Sequence, residues 1–186
     1  MSKRTEKTSK IIQTTIQILC TEGAGGLTMR KVAKLSDIRL SNLQYYYKDK
    51  DALLEATIED YFRQNEAVVT ENLAILPDNI TFSNLLEIIL EESLIDGNSS
   101  PRCAMFREIW ALATKMPSIA ELVRSYYQQY NDWLCQQLAP YSTQPAVIVS
   151  LLMPYVEGYS LMGNALPVSK KIIINTLIET VLPYSK

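Results

Sequence analysis

The chain has 186 residues, 47% of them hydrophobic and 20% charged, with a net charge of −2 and no histidine. That composition suits one or two globular domains, and the missing histidine excludes Ser-His-Asp and Cys-His catalysis, HExxH zinc sites and facial-triad iron. No apolar run approaches the roughly 20 residues of a bilayer span. The basic start MSKRTEKTSK is not followed by the apolar stretch and cleavage site of a secretory signal. Three scattered cysteines (Cys20, Cys103, Cys135) fit neither a disulfide framework nor a metal site. The expectation is a soluble cytoplasmic protein without metal or cofactor. Its charge is uneven: residues 1–50 carry ten Lys/Arg against four Asp/Glu, and residues 51–186 carry eight against sixteen. A small basic head therefore sits on a larger acidic body, with 1–50 and 51–186 as the two domains.

Helical periodicity runs through the whole chain, and no alternating strand pattern competes with it. Ile12, Ile16, Leu19 and Cys20 form one face of a first helix that Gly23, Gly25 and Gly26 end. Thr28 is an N-cap for a short helix to about Leu35, Ser36-Asp37-Ile38 is a tight turn, and a second short helix runs from about Arg39 to Tyr47. Asp49 caps a long helix lined by Leu54, Ile58, Tyr61, Phe62 and Val69, which Pro77-Asp78-Asn79 stops. Further helices are predicted from Thr81 to about Ile95, over 102–115, from Pro117 to about Leu138, over 146–163 and over 169–183, with a loop at Asp96–Pro101. The chain reads as all-α with about nine helices.

The two short helices and their three- to four-residue turn, inside the basic head, have the form of a helix-turn-helix. Val32, Ala33 and Leu35 supply an apolar inner face, Ile38 plugs the turn and Leu43 anchors the second helix. Arg39, Ser41, Asn42, Gln44 and Tyr45 point elsewhere, and such side chains suit phosphates and base edges.

The stretch Lys10-Ile11-Ile12…Gly23…Leu27-Thr28-Met29-Arg30-Lys31-Val32-Ala33, followed by Ser41-Asn42-Leu43-Gln44-Tyr45-Tyr46-Tyr47-Lys48-Asp49-Lys50-Asp51-Ala52-Leu53-Leu54, resembles the DNA-binding domain of TetR-family transcriptional regulators. The match covers roughly residues 8–55, and its most specific part is the aromatic run before Lys-x-Lys, an acidic residue and Leu-Leu. The resemblance implies a dimeric regulator, most often a repressor, that binds a palindromic double-stranded operator and is released by a small-molecule effector. It implies DNA contacts from Thr28, Arg30, Ser41, Asn42, Gln44, Tyr45, Tyr46, Lys48 and Lys50, with Lys50 as a phosphate clamp and Tyr47 packed inside. The turn departs from the family pattern: Asp37 stands where Gly is usual, and Arg39 where a small capping residue is usual. Asp tolerates left-handed backbone. Arg39 cannot cap and is left to reach a phosphate or a guanine.

The acidic body concentrates aromatics over 102–162, and tyrosines near Gln128, Gln129 and Asn131 suit a cavity with polar spots. Phe106, Trp110, Tyr126, Tyr130 and Met153 are the candidate effector-pocket residues. Glu157, inside an apolar helix, fits either a cationic effector group or a pair across a dimer interface, and the pair is the preferred reading. The last two helices are the natural dimer surface, through Val147, Leu151, Leu152, Tyr155, Ile173 and Leu177, with Gly158 and Gly163 allowing close approach. Two other classes compete: a helical enzyme using Tyr or acidic groups on a small molecule, and a protein-interaction module. The absence of a paired nucleophile and base argues against the first, and the charge split argues against both.

Overall fold

A computed structural model describes residues 3–77, 79–95 and 100–186, with the backbone alone at 3, 73 and 74. Among the described residues there are nine α-helices: α1 (Lys3–Gly26), α2 (Met29–Leu35), α3 (Leu40–Tyr46), α4 (Lys50–Ala74), α5 (Phe82–Ser93), α6 (Pro101–Ala113), α7 (Pro117–Leu138), α8 (Pro145–Met162) and α9 (Lys170–Val181). Two 3-10 turns follow α8 and α9, and a single antiparallel bridge joins Ser142 to Ser185. The all-α expectation holds. The predicted breaks at Pro77-Asp78-Asn79 and Asp96–Pro101 lie partly outside the described residues, at 78 and at 96–99. The chain divides into two compact units, Met1–Val69 with Ala104–Arg124, and Thr70–Cys103 with Ser125–Lys186.

In the first unit, α1 buries Ile11, Ile12, Thr15, Ile18 and Leu19, a helical stripe at i, i+1, i+4, i+7 and i+8. The buried side is thus turned slightly from the predicted one, and Ile16 and Cys20 lie only half-buried on its flank. Thr15, fully buried, donates its hydroxyl to the Ile11 carbonyl at 2.8 Å, and Thr57 in α4 does the same to Leu53 at 2.7 Å. Neither hydroxyl is left unsatisfied in an apolar setting. α1 does not end at Gly23. It kinks there, at φ 68° and ψ −179°, and continues to Gly26. That backbone region is open essentially to glycine alone.

α2 packs on α1 and on α3. Thr28 caps α2, its hydroxyl accepting the Lys31 amide at 3.2 Å. The turn closes with Ile38 N–H on the Ala33 carbonyl at 3.0 Å and Asp37 N–H on the Lys34 carbonyl at 3.2 Å, a Schellman pair with Asp37 at φ 57° where glycine is usual. Arg39 stands at the N-cap of α3 and makes no side-chain cap, as its chemistry requires. One expectation fails: Leu35 is 53% exposed, not part of the inner face. At 100° per residue it falls about 110° from the direction that Val32 and Ala33 share. Asp49 caps α4 through the Ala52 amide at 2.9 Å, and Leu53, Leu54, Ile58, Tyr61 and Phe62 line its buried side.

The second unit is built around Leu86, Leu90, Ile148, Leu152, Ile174 and Val181, with α5 packed on α9. Pro145 sits in the first turn of α8 and Pro154 lies inside it. The segment Pro145–Ala165, 21 residues with mean hydropathy 1.3, is long and apolar enough to cross a membrane by length and composition. This corrects the expectation that no run approaches that length; Ser150, Pro154, Glu157 and Gly158 interrupt the pattern to the eye without lowering its average enough. Only 28% of that window is buried, so α8 leaves much apolar surface uncovered by its own chain.

The two positive-φ positions make opposite predictions. Gly23→Ala should destabilise the fold by about 1–3 kcal/mol, the cost of a side chain in a region reserved for glycine; its Cβ would also stand 3.1 Å from a Glu108 carboxylate oxygen. Asp37→Gly should stabilise it by up to about 1 kcal/mol, since relief of left-handed strain exceeds the added chain entropy. Urea unfolding of both variants checks the two signs.

Candidate nucleic-acid interface and effector site

α3 is seven residues long, and its orientation is fixed by Leu43, which is completely buried. With that one side chain pointing in, Ser41, Asn42, Gln44 and Tyr45 all lie exposed on the other side. Tyr45 is 77% exposed, its ring edge-on to Tyr46 at 5.5 Å. Thr28, Arg30, Arg39 and Lys48 are exposed as well, while Tyr46 and Lys50 are half-buried. Among the described residues neither Arg30 nor Arg39 is held in an ion pair, whereas Lys31 is tied to Glu22. The head thus presents polar amides, a phenol and two unpaired guanidiniums on one set of short helices, which is what phosphate and base-edge recognition requires. Tyr47 is half-buried, and burial followed by the nearby Asp60 carboxylate pushes its phenol up.

The kink at Gly23 has partners that the sequence did not announce. The Ala24 N–H donates to Glu108 Oε2 of α6 at 2.9 Å, and the Ala24 carbonyl accepts from Lys50 Nζ at 2.7 Å. Both backbone groups of one residue, on adjacent peptides, are therefore held by side chains from α6 and α4. Lys50, expected as a phosphate clamp, has one donor committed inside the protein. The only signal in the sequence was Gly23 itself, and nothing in the spacing names residues 84 positions away.

The body residues divide between the units. Phe106 and Trp110 belong to the first, with rings edge-on at 6.4 Å. Tyr126, Tyr130 and Met153 belong to the second, where Tyr126 stacks on Tyr130 at 5.7 Å and Tyr130 on Trp133 at 5.7 Å. Tyr130 and Met153 pack against that unit's core. Glu157 accepts a hydrogen bond from the Tyr127 hydroxyl of its own chain at 2.9 Å. Burial raises its carboxyl to about 7, against the opposing effects of the Tyr127 hydrogen bond and of Arg102.

Of the residues expected at a dimer surface, Leu151 and Tyr155 are exposed, Val147 and Leu177 are half-buried, and Leu152 and Ile173 are in the chain's own core. The exposed stripe of α8 runs instead through Leu151, Tyr155, Leu161 and Met162. Nothing lies within 4 Å of where a Cβ on Gly158 would stand, whereas one on Gly163 would collide with Tyr159 of the same chain.

No family model matches the chain. Over 184 residues it is 38% identical to an uncharacterized HTH-type transcriptional regulator in the dhlA 5′ region of Xanthobacter autotrophicus, a match that covers 97% of this chain and 91% of that one. The chain belongs to the TetR family of helix-turn-helix transcriptional regulators. The fold of a TetR-family regulator from Mesorhizobium loti superposes with a TM-score of 0.79 at 16% identity, covering 100% of this chain and 99% of that one. A transcriptional regulator from Saccharomonospora viridis, in complex with choline, superposes with a TM-score of 0.77 at 13% identity, covering 98% and 99%. As in other TetR-family chains, the relatives are regulators and not enzymes.

Glu157 sets a pH dependence that can be worked out for this TetR-family chain. Its folded carboxyl, at about 7, titrates above its ordinary value of 4.5. The folded state therefore holds a proton that the unfolded state has lost between those values, and stability falls as pH rises through that window. The penalty is absent below the lower value and reaches roughly 3 kcal/mol above the upper one. Glu157→Gln, which keeps an acceptor for Tyr127, should melt higher than the wild type at pH 8 and nearly level with it at pH 5. Melting curves across that range check the crossover.

Proposed function

We propose that the chain is a cytoplasmic, dimeric repressor that binds a palindromic operator through residues 1–50 and leaves it when a small-molecule effector binds residues 51–186. The observation that carries the DNA half is the outward face of α3, with Ser41, Asn42, Gln44 and Tyr45 exposed around a fully buried Leu43. In this reading Asn42 and Gln44 meet base edges, where either amide suits adenine. Ser41, Tyr45, Tyr46, Thr28, Arg30, Arg39 and Lys48 hold phosphates or sugars. Lys50 serves both the phosphate and the Ala24 carbonyl that it already holds.

The dimer half rests on the stripe of Leu151, Tyr155, Leu161 and Met162, together with Ile172 of α9, all at least 36% exposed. Large apolar side chains exposed in this number on the last two helices call for a partner. Two heads carried on one dimer reach half-sites one helical turn apart, about 34 Å, or a multiple of it. Each head alone binds weakly, and the second binds at the effective concentration set by the first. An effector with higher affinity for a body that holds the heads at another spacing lowers operator affinity by linkage. The effector sits in the second unit, with the aromatics Tyr126 and Tyr130 and with Met153.

Two tests follow from this reading. On a fragment of upstream DNA, Gln44→Ala should cost about 1–3 kcal/mol on the cognate site and relax the base preference there. Lys48→Ala should weaken binding to all sequences and flatten the salt slope by about one. If neither variant changes binding or its salt slope, α3 is not the reading helix. Sedimentation should give about twice the 21.1 kDa chain mass. Leu151→Asp or Met162→Asp should yield a folded monomer, because each site is exposed in the single chain, whereas Ile173→Asp should unfold it by burying an unpaired charge.

A further inference from the structure

In the second unit, α7 and α8 carry acceptors, about one helical turn of α7 apart, that the chain itself leaves under-used. A carboxylate offers about four lone-pair sites. Glu157 has one of them filled, by the Tyr127 hydroxyl at 2.9 Å, and among the described residues no cation stands within ion-pair distance of it. Arg102 of α6 acts on it only from farther away and is itself exposed. One helical turn on from Tyr127, the Oδ1 of Asn131 is buried without any hydrogen-bond partner. Such a group is uncommon in folded proteins, and an ordered water, an ion or another bound molecule accounts for it. Between these two positions on α7 lies Tyr130, sandwiched in a stack with Tyr126 and Trp133, each pair of rings 5.7 Å apart.

The chemistry is one-sided. Two groups largely out of water want donors, and one of them is an acid. A neutral alcohol supplies one donor and no charge. A quaternary ammonium supplies charge and no N–H. A protonated primary or secondary amine supplies both. Glu157 lies about 120–160° round α8 from Leu151, Tyr155 and Met162 but only about 40° from Leu161, so this site borders the exposed stripe at one edge.

We propose that Glu157 and Asn131, with Tyr127 and Tyr130, form a binding site for a small organic ammonium ion that carries N–H donors. The proposal rests on the reading of residues 51–186 as an effector-binding body. The ion fills the open acceptor sites of Glu157 and Asn131, and its apolar part lies beside the edge of the stacked Tyr130 ring. Binding requires the ionised carboxylate. The groups that act on Glu157, Tyr127 from α7 and Arg102 from α6, both favour that form against burial. Affinity therefore rises between pH 6 and pH 8, and part of a proton is released on binding at neutral pH.

The test is calorimetry and thermal shift on the full chain with n-butylammonium, tetramethylammonium and n-butanol at matched ionic strength, alongside retention of an upstream DNA fragment without any amine. Butylammonium should bind with heat that depends on buffer ionisation and should raise the Tm, with affinity at least tenfold above that of butanol and clearly above that of tetramethylammonium. Glu157→Gln should lose at least tenfold in that affinity while melting at or above the wild-type temperature, so the loss is not unfolding. Asn131→Leu should lose several-fold. Butanol binding as tightly as butylammonium, full affinity in Glu157→Gln, or no binding of butylammonium each overturns the proposal. A chain that retains DNA but ignores butylammonium loses the ammonium assignment alone; one that binds butylammonium and no DNA keeps the assignment and loses the repressor reading.

Discussion

Two helices of seven residues form the helix-turn-helix of the head, and neither is long enough to stay helical in water by itself. Their existence depends on burying one side against the rest of the head. Val32, Ala33 and Leu43 do this, at 0–3% exposure, and the buried Ile11, Ile12, Ile18 and Leu19 of α1 enlarge the same unit's core. That single constraint fixes the rotation of each helix about its axis. Once Leu43 points inward, helical geometry leaves Ser41, Asn42, Gln44 and Tyr45 no place but the outside. The polar face is therefore a consequence of the apolar one, and backbone caps complete it: Thr28 at the start of α2 and the Schellman turn through Asp37 at its end.

A second constraint joins the head to helices that follow it in sequence. Residue Ala24 is gripped at its N–H by Glu108 and at its carbonyl by Lys50, next to a glycine in a conformation that other residues avoid. A helix that would have stopped at the glycine cluster is instead bent and held. Its last residues lead straight to Thr28, so the position of α2 depends on this bend.

The body shows a different balance. Glu157 is kept largely out of water although burial penalises its charge, and Tyr127 offsets only part of that penalty. A core built for stability alone would place a neutral or apolar group there. The orphaned oxygen of Asn131 on the neighbouring turn of α7 repeats the pattern, and such departures from local economy gather where function is served. The apolar stripe of α8 is a third instance, since it leaves Leu161 at 64% and Met162 at 54% exposure in the single chain.

Much of this was legible in the sequence because it is local. Periodicity gave the helices, the caps at Thr28 and Asp49 follow from residue chemistry within three positions, and the outward set on α3 follows from one leucine. Asp37 in left-handed backbone was legible for the same reason. What only the tertiary structure decided involves distance along the chain or small rotations. The grip of Glu108 on Ala24 spans 84 positions and has no repeat or spacing to betray it. Whether Leu152 and Ile173 or Leu151 and Ile172 face outward turns on a rotation of about 100°, one residue of helix, and both choices satisfy an apolar helix read alone. The chain's sequence determines which elements form and which sides of the shortest ones must be polar. The packing of those elements determines which way the long apolar helices turn, because a helix that is apolar nearly all round carries no internal signal of its own orientation.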